Sequence, residues 1–317
     1  MGGLQTVSAA MEIAVGKIRM RNPVMTASGT AGYGPELAAY FPLDRLGAFV
    51  TKAVTCEPRQ GNETPRLAET RAGMINAIGL ANVGLDAFLA EKLPWLRKQD
   101  VPVIVNVAGS TVDEYVEVAG RLDEADGVAG IELNISCPNV RRGGMEFGRS
   151  EPAVREVVAA VRKAVRRSTY LVKLSPNVTD ITAIAAAAVA GGADVLSMIN
   201  TFTAMAVDIE RRRPILANVT GGLSGPCIRP VAVHMVHQVY KKVAGPAGVP
   251  IIGMGGIQYA SDAIEFLLAG ATGLAVGTAL FVDPGCLTAI RDGISDYLQR
   301  HGCKSIREII GQLQMPE

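Results

Sequence analysis

The chain has 317 residues, of which 49% are hydrophobic and 19% charged, and its formal net charge is +1. A chain of this length can bury a large core, and its lysines and arginines are spread out, so it lacks the concentrated basic face needed to bind a nucleic-acid backbone. The five scattered cysteines, Cys56, Cys137, Cys227, Cys286 and Cys303, suggest neither a disulfide framework nor a zinc or iron–sulfur knuckle, which points to a reducing, cytoplasmic setting and no metal site.

Residues 1–10 carry no basic stretch followed by a long apolar core, so no signal peptide is expected. A hairpin is expected over 11–15 and 18–20, turning at Gly16-Lys17. Eight short apolar, β-branched runs follow, at 24–27, 48–54, 103–107, 130–135, 170–174, 195–199, 250–253 and 273–276, with helical stretches between them. Each run passes into polar or glycine chemistry. In chain order these ends are Ser28-Gly29, Lys52, Asn106, Asn134 with Cys137, Lys173, Asn200-Thr201, Gly255-Gly256 and Gly277-Thr278. The most hydrophobic window, 181–199, is broken by Gly191-Gly192 and Asp194, which suits a packed helix running into a strand better than a membrane span. His234 and His237 share a helix face without an acidic ligand nearby, and no role is assigned to them.

Continuous apolar strands alternating with helices imply a parallel sheet covered on both faces, and eight of them imply a (β/α)₈ TIM barrel preceded by a short hairpin. Residues 1–317 then form a single domain. The C-terminal strand ends of such a barrel converge on one rim, where its active site lies. Any one lysine or asparagine there reads as an ordinary solvated loop residue, but eight polar ends together read as a site.

The densest chemistry is Asn134-Ile135-Ser136-Cys137-Pro138-Asn139-Val140-Arg141-Arg142-Gly143-Gly144. It offers amide donors and acceptors and one ionisable thiol, and Pro138 stops the strand. Lys173 lies within an apolar strand, where a cation needs an electron-rich partner, and Lys52 is placed similarly. Asn76, in Asn76-Ala77-Ile78-Gly79-Leu80, joins Asn134, Asn139 and Asn200 as carboxamides suited to a flat ring bearing alternating C=O and N–H groups, leaving acid–base work to Cys137. Gly253-Met254-Gly255-Gly256-Ile257 and Gly273-Leu274-Ala275-Val276-Gly277-Thr278 follow the last two strands, where backbone amides cradle a phosphate. With no Walker motif and no strand-linked GxGxxG, flavin mononucleotide (FMN) suits this rim better than NAD in a Rossmann unit.

These motifs, with Asp208-Ile209-Glu210 through Arg213-Pro214 and Gly221-Gly222-Leu223-Ser224-Gly225-Pro226, make the chain resemble, nearly end to end, the class 1 dihydroorotate dehydrogenases. The closest likeness is to the catalytic subunit of the NAD-linked class 1B enzymes. The resemblance implies one FMN held by Ser28, Lys52, Ala53, Asn106, Asn134, Lys173, Ile199, Gly225, Gly255, Gly256, Gly277 and Thr278. It implies substrate contacts from Lys52, Asn76, Ala77, Ile78, Gly79, Leu80, Asn134, Asn200 and Thr201, and Cys137 as the base that takes the C5 proton of dihydroorotate while hydride leaves C6, giving orotate for pyrimidine biosynthesis. It also implies a partner subunit carrying FAD and a [2Fe–2S] cluster that relays electrons to NAD⁺, with paired barrels in a heterotetramer and no membrane attachment. The sequence departs from the family at Ala81-Asn82-Val83, Ala53, Arg141 and Cys227, none of which removes a catalytic group. The alternatives are the fumarate-using class 1A enzyme, a tRNA-dihydrouridine synthase-like flavoprotein and a non-catalytic binding barrel.

Overall fold

In the computed structural model, whose described residues are 9–135 and 147–316, the eight apolar runs become strands. They are β1 (Val24–Thr26), β2 (Phe49–Val50), β3 (Val103–Val107), β4 (Gly130–Asn134), β5 (Thr169–Lys173), β6 (Val195–Met198), β7 (Ile251–Met254) and β8 (Gly273–Val276). They pair in parallel in chain order from β2 to β8, and β8 then pairs with β1. Closure between β1 and β2 relies on side-chain as well as ladder bonds. Met25 bridges Ala48, the Gly47 N–H donates to the Val24 carbonyl at 2.8 Å, and the Thr26 hydroxyl both accepts from the Val50 N–H at 2.8 Å and donates to the Val50 carbonyl at 3.1 Å. Strand β2 is shorter than the expected run 48–54, yet the chain beyond it stays beside β3, with Thr51 and Val54 N–H groups donating to the Ile104 and Asn106 carbonyls.

A helical segment follows each of the eight strands. These are α1 (Pro35–Ala38), α2 (Leu85–Ala87, continuing through a π turn into Leu93–Leu96), α3 (Val112–Glu124), α4 (Glu151–Ala164), α5 (Ile181–Ala190), α6 (Arg229–Val239), α7 (Ala260–Ala269) and α8 (Cys286–Arg300). Capping side chains start several of them: Thr111, Ser150 and Asp180 accept first-turn N–H groups of α3, α4 and α5. Helix α4 shows the packing logic. Val154, Val157, Val158 and Val161 fall on one stripe and are buried, while its charged residues face outward. No helix among the described residues is long and apolar enough to cross a membrane.

The hairpin forms from Ile13–Val15 and Ile18–Met20, and all four of its terminal residues are buried. It seals the N-terminal mouth of the barrel: the Lys17 N–H donates to the Thr169 hydroxyl at 2.9 Å, and a Cβ on Gly130 would lie 2.9 Å from Ile18 Cδ1. That imagined Cβ would also lie 3.0 Å from Leu171 Cδ1 and 3.3 Å from Ile104 Cγ1, which identifies the barrel-interior face. Alternation along the strands then turns Asn106, Glu132, Asn134 and Lys173 inward as well.

One feature was not expected from the sequence. The excursions after β2 and β6 build a four-stranded antiparallel sheet in the order Phe202–Ala204, Gly221–Ser224, Gly73–Asn76, Leu67–Thr70. It has its own small core of Ala68, Ile75, Ala77 and Leu216. Its strands are short and rich in glycine, so they lack the alternating apolar signal.

Candidate active site

Between the strand ends and this cap sheet lies a cavity of about 1010 Å³, at the upper end of the usual range for ligand sites and roomy enough for a cofactor together with a substrate. Ser28, Lys52, Ala53, Asn134, Lys173, Ile199, Gly225, Gly255, Gly256, Gly277 and Thr278 all line it. So do Asn76, Ala77, Ile78, Gly79, Leu80, Asn200 and Thr201. Three residues do not join this set. Asn106 is fully buried below the cavity rather than lining it. Cys227 is exposed and does not line the cavity, and its thiol lies near the Ser224 carbonyl. Cys137 lies outside the described residues, as do Asn139 and Arg141; the strand that leads towards them ends at Asn134, on the cavity wall.

One end of the cavity is bare backbone. Gly225, Gly255 and Gly256 have φ of 100°, 127° and 82°, in the region that disfavours side chains. A Cβ on Gly256 would lie 2.8 Å from both Arg229 Cβ and the Gly225 carbonyl oxygen, so no other residue fits. Among the described residues, the N–H groups of Gly255, Gly256, Gly277 and Thr278 make none of the backbone hydrogen bonds of the loops. They are thus available to an anion. Behind this cradle, Arg229 at the start of α6 is hydrogen-bonded to Asp262, which is buried and also accepts N–H groups of Gln258 and Tyr259 at 2.9 Å each. This pair ties the loop before α6 to the loop before α7. The sequence reading missed it, because two residues 33 positions apart carry no local signal of pairing.

The other end is rich in carboxamides. Asn200 Nδ2 donates to Asn134 Oδ1 at 3.3 Å, the Asn134 carbonyl accepts from the Tyr115 hydroxyl at 2.7 Å, and Asn76 Nδ2 donates to the Gly222 carbonyl at 3.2 Å. Asn177, also missed, clamps the chain just past Asn200. Its Nδ2 donates to the Thr201 carbonyl at 3.0 Å and its Oδ1 accepts the Thr203 N–H at 2.9 Å. The segment 76–80 is fixed from behind by Asn82, within the Ala81-Asn82-Val83 departure. Asn82 Nδ2 donates to the Leu80 carbonyl at 2.7 Å and to the Thr55 hydroxyl at 2.8 Å, while its Oδ1 accepts the Gly84 N–H at 2.8 Å and the Thr55 N–H at 3.3 Å.

Two lysines supply positive charge. Lys173 is 5% exposed on the inner face of β5, opposite Asn134 in register. Lys52 is half-buried, and burial holds its pKa below the ordinary lysine value, with Arg66 pushing the same way and Glu36 opposing. One layer deeper, Glu132 is 1% exposed and accepts a hydrogen bond from Asn106 Nδ2 at 2.6 Å, leaving Asn106 Oδ1 buried without a partner among the described residues.

This donor set fits FMN. The side-chain-free glycine cradle suits its phosphate, and Lys173 suits an electron-rich ring. The carboxamides and Lys52 are left for a small, planar, anionic substrate.

Comparison with known proteins agrees with this chemistry. The model of the dihydroorotate dehydrogenase family matches residues 10–298. A relative from Geotalea daltonii, named dihydroorotate dehydrogenase B (NAD(+)), catalytic subunit, is 54% identical over 305 residues, covering 96% of this chain and 98% of the relative. Identically named relatives from a Geobacter species and from Bacteroides thetaiotaomicron are 55% and 50% identical, over 96% and 97% of this chain and 98% and 100% of their own lengths.

Proposed function

The chain belongs to the dihydroorotate dehydrogenase family, and we propose that it is the catalytic subunit of a class 1B enzyme, oxidising (S)-dihydroorotate to orotate in pyrimidine biosynthesis. The observation that carries this reading is the convergence of a phosphate cradle, two lysines and three carboxamides on one barrel-rim cavity. FMN would be held by the glycines after β7 and β8 and by Ser28, Lys52, Ala53, Asn134, Lys173, Ile199, Gly225 and Thr278, with Asn106 one layer beneath them. When bound, it supplies a two-electron acceptor for the hydride at C6 of the substrate.

The residues of the chain then divide the remaining work. Lys52 attracts the substrate carboxylate, and Asn76, Asn134 and Asn200 meet the ring amides with groups that both donate and accept. Asn177 and Asn82 hold the two segments that carry Asn200 and Asn76. Cys137 serves as the base for the C5 proton, a role that rests on the family motif Asn134-Ile135-Ser136-Cys137-Pro138-Asn139. We take residues 1–317 as one catalytic domain of a cytoplasmic enzyme. Electrons leave it for a partner subunit carrying FAD and a [2Fe–2S] cluster, which passes them to NAD⁺, with two barrels paired at the centre of a heterotetramer. The relatives' shared name, an NAD(+) enzyme's catalytic subunit, supports such a division of labour.

Steady-state assays with the purified chain test the electron route. The isolated, FMN-loaded chain should reduce artificial dyes with dihydroorotate but not NAD⁺, and adding the partner should restore NAD⁺ reduction. Efficient fumarate turnover by the chain alone would move it to class 1A.

A further inference from the structure

The glycine cradle is held from behind by a carboxyl group that does not line the cavity. Asp262 is buried in the first turn of α7 and takes three donors: the Gln258 and Tyr259 N–H groups on Oδ2, each at 2.9 Å, and the Arg229 guanidinium on Oδ1. A carboxylate in a first turn ordinarily caps its own helix, and the bond from the Tyr259 N–H does that. The other two bonds reach away from α7. Gln258 belongs to the loop that leaves β7 through Gly255 and Gly256, and Arg229 opens α6 just past Gly225 and the turn Pro226–Ile228. The two loops meet without slack, since a Cβ on Gly256 would lie 2.8 Å from the Gly225 carbonyl oxygen and 3.1 Å from the Arg229 backbone nitrogen. Asp262 therefore fixes one wall of the cradle with one oxygen and the facing wall with the other.

An arginine beside a phosphate cradle invites the reading that it grips the phosphate itself. The geometry is against that. Gly225, Ile228, Gly255 and Gly256 line the cavity and Arg229 does not. Its guanidinium is engaged by Asp262 and by Glu265, whose Oε2 lies 3.4 Å from Nε.

We propose that Asp262 is a positioning residue for the phosphate of FMN. With Arg229 as its strut, it sets the spacing between the Gly225 turn and the Gly255-Gly256 loop, so that the N–H groups of both glycines after β7 are offered to one anion. The inference rests on the reading of the cavity as an FMN site and deepens it. It assigns the preference for a phosphorylated flavin in part to two side chains that touch neither the phosphate nor the ring.

The test uses the full chain, stripped of flavin and titrated separately with FMN and with riboflavin, which lacks the phosphate, with folding checked by circular dichroism. Asp262→Asn keeps the shape but turns one acceptor into a donor, so it cannot serve the loop N–H groups and Arg229 together. It should weaken FMN binding about tenfold, the scale of one lost charge-assisted hydrogen bond, and leave riboflavin binding unchanged. Inorganic phosphate, used as a competitor against FMN, should lose affinity by the same factor. Arg229→Gln removes the strut from the other side and spares the cap of α7, so it carries the test if Asp262→Asn does not fold. It should weaken FMN and spare riboflavin in the same way, and because the two residues act as one unit the double variant should bind FMN no more weakly than the weaker single variant. Unchanged FMN affinity, or equal weakening of FMN and riboflavin as a purely structural role requires, would overturn the proposal. A larger loss from Arg229→Gln than from Asp262→Asn, additive in the double variant, would overturn it in favour of an arginine that grips the phosphate directly. Failure of the wild-type chain to prefer FMN over riboflavin would instead refute the phosphate reading of the cradle itself.

Discussion

Replacing Asn82 with alanine should cost both stability and substrate affinity, by an amount that follows from the bonds it makes. Asn82 is 9% exposed and Thr55 is 1% exposed, so the groups it satisfies are largely shut off from water. The substitution strands the Thr55 and Gly84 N–H groups and the Leu80 carbonyl. Each buried orphan costs about 1–3 kcal/mol, and with some relaxation of the loop the sum should be about 2–4 kcal/mol. For a domain of this size that corresponds to a fall in Tm of roughly 3–6 °C. Because Leu80 and the residues before it line the cavity, the apparent KM for dihydroorotate should rise while kcat changes less. Asn82→Asp keeps the acceptor for the two N–H groups and loses the two donated bonds, so it should fall between alanine and wild type. The assay is thermal melting at fixed FMN, since bound ligand itself shifts Tm, paired with steady-state kinetics. An alanine variant that melts with the wild type and keeps its KM would show that Asn82 does not hold the segment 76–80 in place.

Cys137→Ser should slow flavin reduction by dihydroorotate roughly a hundredfold or more near neutral pH while leaving FMN bound, and the wild-type rate should climb with pH as the thiol ionises. Rapid-mixing reduction traces check this; near-wild-type reduction by the serine variant removes Cys137 from the mechanism. Lys173→Ala should lose flavin on gel filtration or shift its potential, because a buried cation on β5 has been taken away, and full retention at an unaltered potential would place Lys173 away from the ring. Lys52 titrates below the ordinary lysine value, so its cation is lost earlier on the alkaline side and KM for the anionic substrate should rise through that lowered pKa. Between that pKa and the unfolded-state value the folded chain binds fewer protons than the unfolded one, so this group's contribution to stability increases with pH over the same window. A KM profile that is flat until ordinary lysines titrate would contradict the assignment.

The barrel was legible because its strands are continuous apolar runs, buried on both faces, whose ends can be read one by one. Ser28, Lys52, Asn134, Lys173, Asn200 and the paired glycines were found in this way, and the cavity gathers them all. The cap sheet was not legible. Gly221-Gly222 pairs with residues more than a hundred positions earlier, and strands held in place by such distant partners show no local alternation. Asn82 sits between the two residues that depart from the family, Ala81 and Val83, and the four hydrogen bonds that give the loop its shape leave no local pattern in the sequence. Asp262 and Glu132 were passed over for a related reason. One is buried against an arginine from another helix and the other against an amide on the preceding strand, and neither partner can be inferred from neighbouring residues. Asn106 was picked out as a strand-end residue, but lies one layer deeper than the rim.

A single anaerobic turnover tests the central claim most directly. The FMN-loaded chain is mixed with dihydroorotate in the absence of any acceptor, and flavin absorbance and orotate are followed together. The account predicts that the yellow flavin bleaches and that one orotate forms per flavin reduced. A flavin that stays oxidised in the presence of excess dihydroorotate, in a folded and fully loaded chain, would contradict it.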